Sequence, residues 1–195
     1  MRDPTGRDIV PPFDVKDAQV AYDTWGCNCG PGALAGVIGV TLEQIRPWLG
    51  NFEQKRYTNP TLMTKILRGL GIQWTCGKSG WPNWGLARIQ WHGPWMRPGG
   101  PIQARYRHTH WVGCLHLSDG SLGIFDINAI NNGTGWVSSV DWNNVLVPYL
   151  LKDEPRADGE WSITHAINLI PQSVIDARLQ IVSGMPTGGQ GRKGF

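Results

Sequence analysis

Cys29 stands directly before Gly30 and Pro31, in the segment CNCGPGALAG that covers residues 27–36. Proline is favoured in the first turn of a helix, so this segment predicts a helix that begins at the cysteine. Unpaired backbone N–H groups and the helix dipole favour negative charge at that end. Such a position can lower the pKa of a thiol to roughly 3.5–7.5, which makes Cys29 a candidate nucleophile.

A nucleophilic thiol needs a base, and His110 is the best placed of the five histidines in the chain. It opens the strand-like segment HWVGCLHL, a rigid element that can hold an imidazole against the helix terminus. Asp126 ends the next strand-like segment, LGIFDI, and could accept the other imidazole N–H, which fixes the tautomer. The order Cys, His, Asp suits acyl transfer through a covalent intermediate. His108 is the alternative base, and Asn128 is the alternative orienting residue.

A zinc site is the main competing interpretation of the same residues. Four nitrogen and sulfur ligands of the kind that tetrahedral zinc takes are supplied by Cys27, Cys29, His108 and His110. Paired cysteines in structural zinc sites are usually separated by two or more residues, however, and here one residue lies between them. We therefore expect no metal and no other cofactor, and we interpret Cys27 as a neighbour of the nucleophile.

Three helices are predicted in the first third of the chain. The first is the buried helix GPGALAGVIG, whose glycines allow another element to approach closely. In the segment TLEQIRPWLG, Thr41 and Gln44 form a capping-box pattern. In NPTLMTKILRGLG, Asn59 is a cap and Pro60 takes the first helical position. Residues 1–22 contain three prolines and are predicted to be irregular.

Short strand-like segments follow the helices. HWVGCLHL and SLGIFDI predict a hairpin with a tight turn at 118–120, and IQWT (72–75), PIQA (101–104) and WSITHAINLI (161–170) predict further strands. Helices followed by antiparallel strands define an α+β fold. Several of the eleven tryptophans fall between 74 and 111. That clustering predicts a loop-rich region of packed rings or an aromatic wall beside a substrate groove.

The combination of these segments has a counterpart in a known family. The order of these segments resembles the papain-like cysteine peptidases of the bacteriocin-leader-processing (double-glycine peptidase) type. The segments that carry the resemblance are CGPGALAG, TLEQIRPWLG, NPTLMTKILRGLGI, a strand that opens with HWVG and a strand that ends in FD. The resemblance spans about residues 23–150. It implies a papain-like fold, with an N-terminal helical half packed against an antiparallel sheet. It also implies that Cys29 is the nucleophile, His110 the general base and Asp126 the orienting residue.

The oxyanion hole is the part of the site in which this sequence matches the family least. Members of the family generally carry a glutamine some six residues before the nucleophile, which donates to the oxyanion. That position here is Asp23, and Gln19 is the nearest upstream amide, so these two are the side-chain candidates. The backbone N–H of Cys29 is a further candidate donor. The family's Asp-Pro pair is replaced by Asp126 and Ile127.

Length and composition limit the possible domain organisation, partners and location of the protein. The 195 residues contain no central linker, which predicts one domain (23–170) between a lead-in (1–22) and a C-terminal tail (171–195) that is flexible over its last dozen residues. A net charge of +3 spread along the chain argues against a nucleic-acid partner. No apolar segment has the length of a membrane span or a signal peptide, so we expect no membrane partner and a cytoplasmic location. Four cysteines are too few for a disulfide framework and are expected to be thiols.

The expected function is a cysteine peptidase-like hydrolase that forms an acyl-enzyme on a peptide or protein substrate. An amidase, deamidase or acyl transferase would use the same triad. The alternative is a catalytically weak or inactive protein on the same scaffold, which serves as a structural or interaction component of a homo-oligomer or a larger assembly, including a virus particle. Substrate choice does not follow from the triad, because it depends on the groove.

Overall fold

A six-stranded antiparallel sheet lies at the centre of the protein, in a computed structural model that describes residues 2–77, 80–99, 103 and 107–183. The order across the sheet is β1-β6-β2-β3-β4-β5, and each neighbouring pair is antiparallel. The strands are β1 (Trp74–Gly77), β2 (Trp84–Trp91), β3 (Thr109–His116), β4 (Leu122–Phe125), β5 (Trp136–Ser138) and β6 (Trp161–Leu169). With the helices packed against it, this sheet confirms the α+β class.

Helices occur both before and after the strands. They are α1 (Val15–Trp25), α2 (Cys29–Ile38), α3 (Leu42–Ile45), α4 (Phe52–Lys55), α5 (Pro60–Gly69), α6 (139–150, in which Trp142–Leu146 is a π-type turn) and α7 (Pro171–Ser183). Short 3₁₀ turns cover Arg46–Trp48, Pro94–Met96 and Ile127–Asn132. Over the ranges that the structure describes, no helix combines the length and the apolar character needed to cross a bilayer.

The helix starts predicted from capping residues are confirmed. Thr41 and Gln44 form the reciprocal capping box of α3. The Asn59 side chain accepts from the backbone N–H of Leu62 at the start of α5, where Pro60 is the first helical residue. Each cap satisfies backbone donors that have no partner inside the helix, so the signal is local and can be recognised in sequence.

The lead-in 1–22 is not irregular throughout, and this part of the prediction is wrong. Helix α1 begins at Val15, because Asp14 caps it and Asp17 completes a capping box with the Asp14 backbone. Helix α7 occupies the first part of the predicted tail. The rest of that tail, 184–195, and most of the predicted strand at 101–104 lie outside the described residues.

The tryptophan-rich segment contains a central strand that the sequence pattern does not indicate. All eight residues of β2 are buried, and the strand pairs with β3 on one side and β6 on the other. Arg88 and Gln90 interrupt its apolar pattern. Their side chains are bonded within the fold: Arg88 to Thr109 and Thr164, and Gln90 to the His108 carbonyl. The structure therefore has a strand buried on both faces where the clustered tryptophans predict a loop-rich region.

Close packing of α2 against the hairpin sets the position of the helix start. A Cβ atom at Gly32 would overlap Ile127, and one at Gly36 would overlap the ring of Phe125. From the opposite side, a Cβ atom at Gly113 of β3 would overlap Val37. These glycines let the α2 backbone lie directly on β3 and β4, as predicted for Gly32 and Gly36. The N-terminus of α2 is thereby held near the start of β3.

Candidate active site

Cys29 is the first residue of α2, and the residue is half-buried. Asn28 precedes the helix as its N-cap residue and is fixed by a hydrogen bond from its Nδ2 to the Ala18 carbonyl of α1, at 2.9 Å. The first helical bond runs from the Gly32 N–H to the Asn28 carbonyl. The sulfur therefore lies at the positive end of the helix dipole, where the sequence places it.

His110 lies at the start of β3 and connects the two other predicted residues. Its Nε2 is 2.8 Å from Oδ2 of Asp126. Because an ionised carboxylate can only accept, Nε2 carries the hydrogen and donates it. The Cys29 thiol is a further hydrogen-bond partner of the His110 side chain, which leaves Nδ1 as the nitrogen that faces sulfur. The structure thus brings Cys29, His110 and Asp126 together.

Asp126 is fully buried at the end of β4 and accepts four hydrogen bonds. Oδ2 accepts from His110 and from the indole Nε1 of Trp142, at 3.0 Å. Oδ1 accepts from the backbone N–H of Asn128 at 3.0 Å and from its Nδ2 at 2.9 Å. Asn128, the predicted alternative orienting residue, therefore donates to the aspartate and does not contact the imidazole.

These contacts fix the charge of the His110–Asp126 pair. Burial opposes the charged form of each group, but their mutual attraction and hydrogen bond are stronger. The pKa of His110 is raised to about 10, with a contribution from the Cys29 sulfur. The pKa of Asp126 is lowered from its ordinary value, with help from the Trp142 and Asn128 donors. At neutral pH the pair is an imidazolium and a carboxylate.

Cys27 contacts Cys29 and changes its titration. The hydrogen bond with Cys27, together with burial, raises the pKa of Cys29, while the contact with His110 acts in the opposite direction. The same thiol contact, and the backbone N–H of Cys29, lower the pKa of Cys27. The N-terminus of α2 also favours negative charge on these sulfurs. Of the two thiols, Cys27 therefore loses its proton more readily than Cys29.

The remaining predicted residues lie outside this contact network. His108 pairs through Nδ1 with Glu154 at 3.2 Å, and its ring stacks on Trp95 with centroids 3.6 Å apart. Gln19 donates to Asp23 at 2.8 Å on the exposed face of α1. All four cysteines are free thiols. Among the described residues, no group of three or more histidine, cysteine or acidic side chains is arranged to hold a metal ion.

Tryptophan rings surround the His110–Asp126 pair, and sequence reasoning did not identify them as part of the site. Trp91 stacks on His110 with centroids 6.0 Å apart, and on Trp142 with centroids 6.1 Å apart. Trp81 and Trp161 contact Trp142 edge to face. Rings of the predicted cluster, Trp81 and Trp91, thus pack on rings from outside it, and Trp91 belongs to strand β2 rather than to a loop-rich region. The sequence shows Trp142 only as one of the tryptophans that follow Asp126, and nothing in it indicates a contact with the carboxylate.

Comparison with known proteins adds no assignment. The sequence matches no protein family, and no curated protein shows significant similarity to it. The function is therefore argued from the geometry of Cys29, His110 and Asp126.

Proposed function

We propose that the protein is a cysteine peptidase or a related amidase or acyl transferase with the triad Cys29, His110 and Asp126. The observation that carries this proposal is the bridging position of His110. One ring nitrogen donates to Asp126 at 2.8 Å, and the other faces the thiol at the start of α2. A thiol, a base and a group that orients the base are the parts that nucleophilic acyl transfer requires.

The chemistry follows from this arrangement. The Cys29 sulfur attacks the carbonyl carbon of an amide as the thiolate, beside the protonated His110, and the electron pair of the C=O bond moves to oxygen. His110 delivers a proton from Nδ1 to the leaving amine, the C–N bond breaks, and an acyl-enzyme remains. Water then loses a proton to His110 and attacks the thioester, which releases the acid and restores the Cys29 thiolate beside the protonated imidazole. Asp126 holds the imidazole in orientation through both steps.

The start of α2 supplies a donor for the oxyanion. The backbone N–H of Cys29 donates to the Cys27 sulfur. A negatively charged substrate oxygen would take that hydrogen bond in place of the sulfur. Gln19 donates one of its two amide hydrogens to Asp23, so the second hydrogen remains as a candidate donor to the oxyanion.

The papain-like resemblance supports the same assignment. The helix that begins at the cysteine precedes the strand that begins with the histidine, and the aspartate ends the adjacent strand. This order, the helical first third and the antiparallel sheet agree with a papain-like fold. A peptide or protein is the substrate class that the fold favours, in a cytoplasmic setting.

Site-resolved alkylation tests the proposal. In Cys27→Ala protein, Cys29 loses the contact that most raises its pKa, so it should react with iodoacetamide well below pH 8. His110→Ala in the same background should abolish that reactivity. His116→Ala is the matched control, because His116 is exposed at the other end of β3, and it should change nothing. Mass spectrometry of the Cys29 peptide measures the rate.

An activated ester extends the test to acyl transfer. With p-nitrophenyl acetate, wild-type protein should release p-nitrophenol and carry one acetyl group on Cys29, whereas His110→Ala should not. A Cys29 whose alkylation and acetylation do not depend on His110 would contradict the proposal.

The alternative function is a scaffold protein that no longer cleaves a substrate. Two observations favour it: Cys27 raises the pKa of the candidate nucleophile, and Gln19 is bound to Asp23. Such a protein would act as an interaction component of an oligomer or a larger assembly, such as a virus particle. Under this alternative, wild-type protein would form no acetyl-enzyme, and substitution of His110 would not change the reactivity of Cys29.

A further inference from the structure

Two thiols lie in contact at the start of α2, and the triad uses only one of them. The side chains of Cys27 and Cys29 are hydrogen-bonded to each other, and the Cys27 sulfur also accepts the backbone N–H of Cys29. Both are free thiols, and both residues are half-buried, so a small reagent can reach them. The candidate nucleophile therefore has a second reactive sulfur as its neighbour.

The backbone between the two cysteines brings their Cα atoms to a separation that a disulfide can span. Two residues of fully extended chain cover about 7 Å, whereas disulfides join Cα atoms about 4.4–6.8 Å apart. Asn28 is not extended, since its φ is −138° and its ψ is −2°, and this bend shortens the span. The hydrogen bond from Asn28 to the Ala18 carbonyl holds the bend in place. A bond between the two sulfurs can therefore form without displacing α1 or α2.

Cys27 is the thiol of this pair that an oxidant attacks first. The thiolate is the form that reacts with peroxides, and the contacts with Cys29 lower the pKa of Cys27. The pKa of Cys29 is raised, so Cys29 keeps its proton longer. Cys27 also lies in the short connection between α1 and α2, outside both helices. Of the other cysteines, Cys114 is fully buried in β3 and Cys76 is exposed on β1.

We propose that Cys27 is an oxidation site that switches the nucleophile off by forming a disulfide with Cys29. The inference rests on the proposed function, because a disulfide at Cys29 regulates an activity only if Cys29 is the nucleophile. The bond occupies the sulfur that attacks the substrate and removes its hydrogen bond with His110. The oxidant is a hydroperoxide, and a thiol such as glutathione restores the active form.

The oxidation takes place in two steps. The Cys27 thiolate attacks one oxygen of the peroxide, the O–O bond breaks, and a sulfenic acid forms while hydroxide leaves and takes a proton from solvent. The Cys29 sulfur then attacks the Cys27 sulfur, the S–O bond breaks, and the leaving hydroxide combines with the Cys29 proton to form water. In sum, two thiols lose two electrons and two protons, and one hydrogen peroxide becomes two waters. A disulfide across one residue closes a small ring, and strained disulfides are the ones that thiols reduce most readily.

Peroxide treatment of the wild-type protein tests the proposal without any substitution. The tryptic peptide 17–55 contains Cys27 and Cys29 and neither of the other cysteines. After a small excess of hydrogen peroxide and then iodoacetamide, mass spectrometry should show this peptide without two hydrogen atoms and without an alkyl group. Acetylation by p-nitrophenyl acetate should be lost, and dithiothreitol should restore it. A peptide with two alkylated thiols, or with oxygen added to Cys29 alone, would overturn the proposal.

Two variants separate the roles of the two sulfurs. Cys29→Ser keeps a donor for the Cys27 sulfur but cannot form the disulfide, so dimedone should trap the sulfenic acid on Cys27 and should label Cys76 more slowly. In Cys27→Ala protein, excess peroxide should carry Cys29 to the sulfinic acid, so dithiothreitol should no longer restore acetylation. Cys76→Ala is the matched control and should form and lose the disulfide as wild type does. Equal recovery in Cys27→Ala and wild type would contradict the inference.

Failure of this inference can be told apart from failure of the proposed function. A disulfide that forms in a protein whose Cys29 is never acetylated would support the oxidation site and contradict the enzyme. A Cys29 that is acetylated in a His110-dependent way, but forms no disulfide with Cys27, would support the enzyme and contradict this inference.

Discussion

Asp126 shows how a carboxylate can remain ionised with no exposure to solvent. Burial alone would raise its pKa, because the charged form loses its hydration. Four donors from three residues replace the water, two on each oxygen. The Asn128 pair fixes Oδ1, so Oδ2 remains to serve His110 and Trp142. The orientation of the imidazole therefore depends on residues that touch only the carboxylate.

Trp142 is a positioning residue in this network, and Trp142→Phe tests that role. The substitution keeps an aromatic ring but removes the indole N–H that lowers the pKa of Asp126. We expect the free energy of unfolding to fall by about 2 kcal/mol, the value of a hydrogen bond to a charged group. The pKa of Asp126 should rise. As the pH is lowered, the rate of Cys29 alkylation should therefore begin to fall at a higher pH than in wild-type protein.

Trp161→Phe separates this effect from simple loss of packing. Trp161 contacts the Trp142 ring edge to face, with ring centroids 5.3 Å apart, and its Nε1 donates to Asn143 rather than to Asp126. This variant should lower stability but leave the pH profile of Cys29 alkylation in place. If both variants moved the profile equally, Trp142 would be acting through packing alone.

Helix α2 positions the nucleophile because its glycine face lies directly on the hairpin. We therefore expect Gly36→Ala to be destabilising, since the new Cβ atom would overlap the buried ring of Phe125. Overpacking of this kind costs about 1–3 kcal/mol in free energy of unfolding. A shift of α2 would also move Cys29 relative to His110, so the alkylation rate at neutral pH should fall. Urea denaturation and site-resolved alkylation measure the two effects.

Gly69→Ala in α5 is the matched control for that substitution. A Cβ atom at Gly69 would be 3.5 Å from Trp48, an ordinary contact distance. Alanine also loses less conformational entropy than glycine on folding into a helix, so stability should rise by about 0.5 kcal/mol. A stable, fully reactive Gly36→Ala protein would mean that α2 is not held by this contact.

Helices whose starts depend on neighbouring residues were predicted correctly from the sequence. The strand that depends on partners far along the chain was not. The caps at Thr41 and Asn59 and the proline after Cys29 determine helix starts through neighbouring backbone groups. Strand β2 could not be inferred in this way. Arg88 and Gln90 are acceptable in a buried strand only because β3 and β6 supply their partners, and those strands come later in the chain.

The same distinction applies to the candidate site. Cys29, His110 and Asp126 each stand at the end of an element, where sequence can suggest a role. Trp142 donates to the carboxylate of Asp126 from a π-type turn in α6, and nothing in the sequence indicates that these two residues are in contact. The effect of Cys27 on Cys29 depends on the distance between the two sulfurs, which spacing alone does not determine.

At the scale of the whole molecule, the buried His110–Asp126 pair couples the charge state of the site to folding. His110 keeps its proton to a higher pH in the folded chain than in the unfolded chain, where its ordinary pKa is 6.5. The stability that it contributes is therefore fully present below about pH 6.5 and is lost as the pH rises towards 10. Asp126 has the opposite sign: its contribution is present above its ordinary pKa of 3.8 and is lost as the pH falls through its lowered folded value.

His110→Gln makes this coupling measurable. The difference in free energy of unfolding between wild type and His110→Gln should be largest between about pH 4 and 6.5, and should shrink by on the order of 3 kcal/mol by about pH 10. His116→Gln controls for loss of a histidine from β3 and should show no such trend. A wild-type minus His110→Gln difference that stays constant from pH 6.5 to 10 would mean that His110 is neutral in the folded protein, and that the thiol faces an uncharged base.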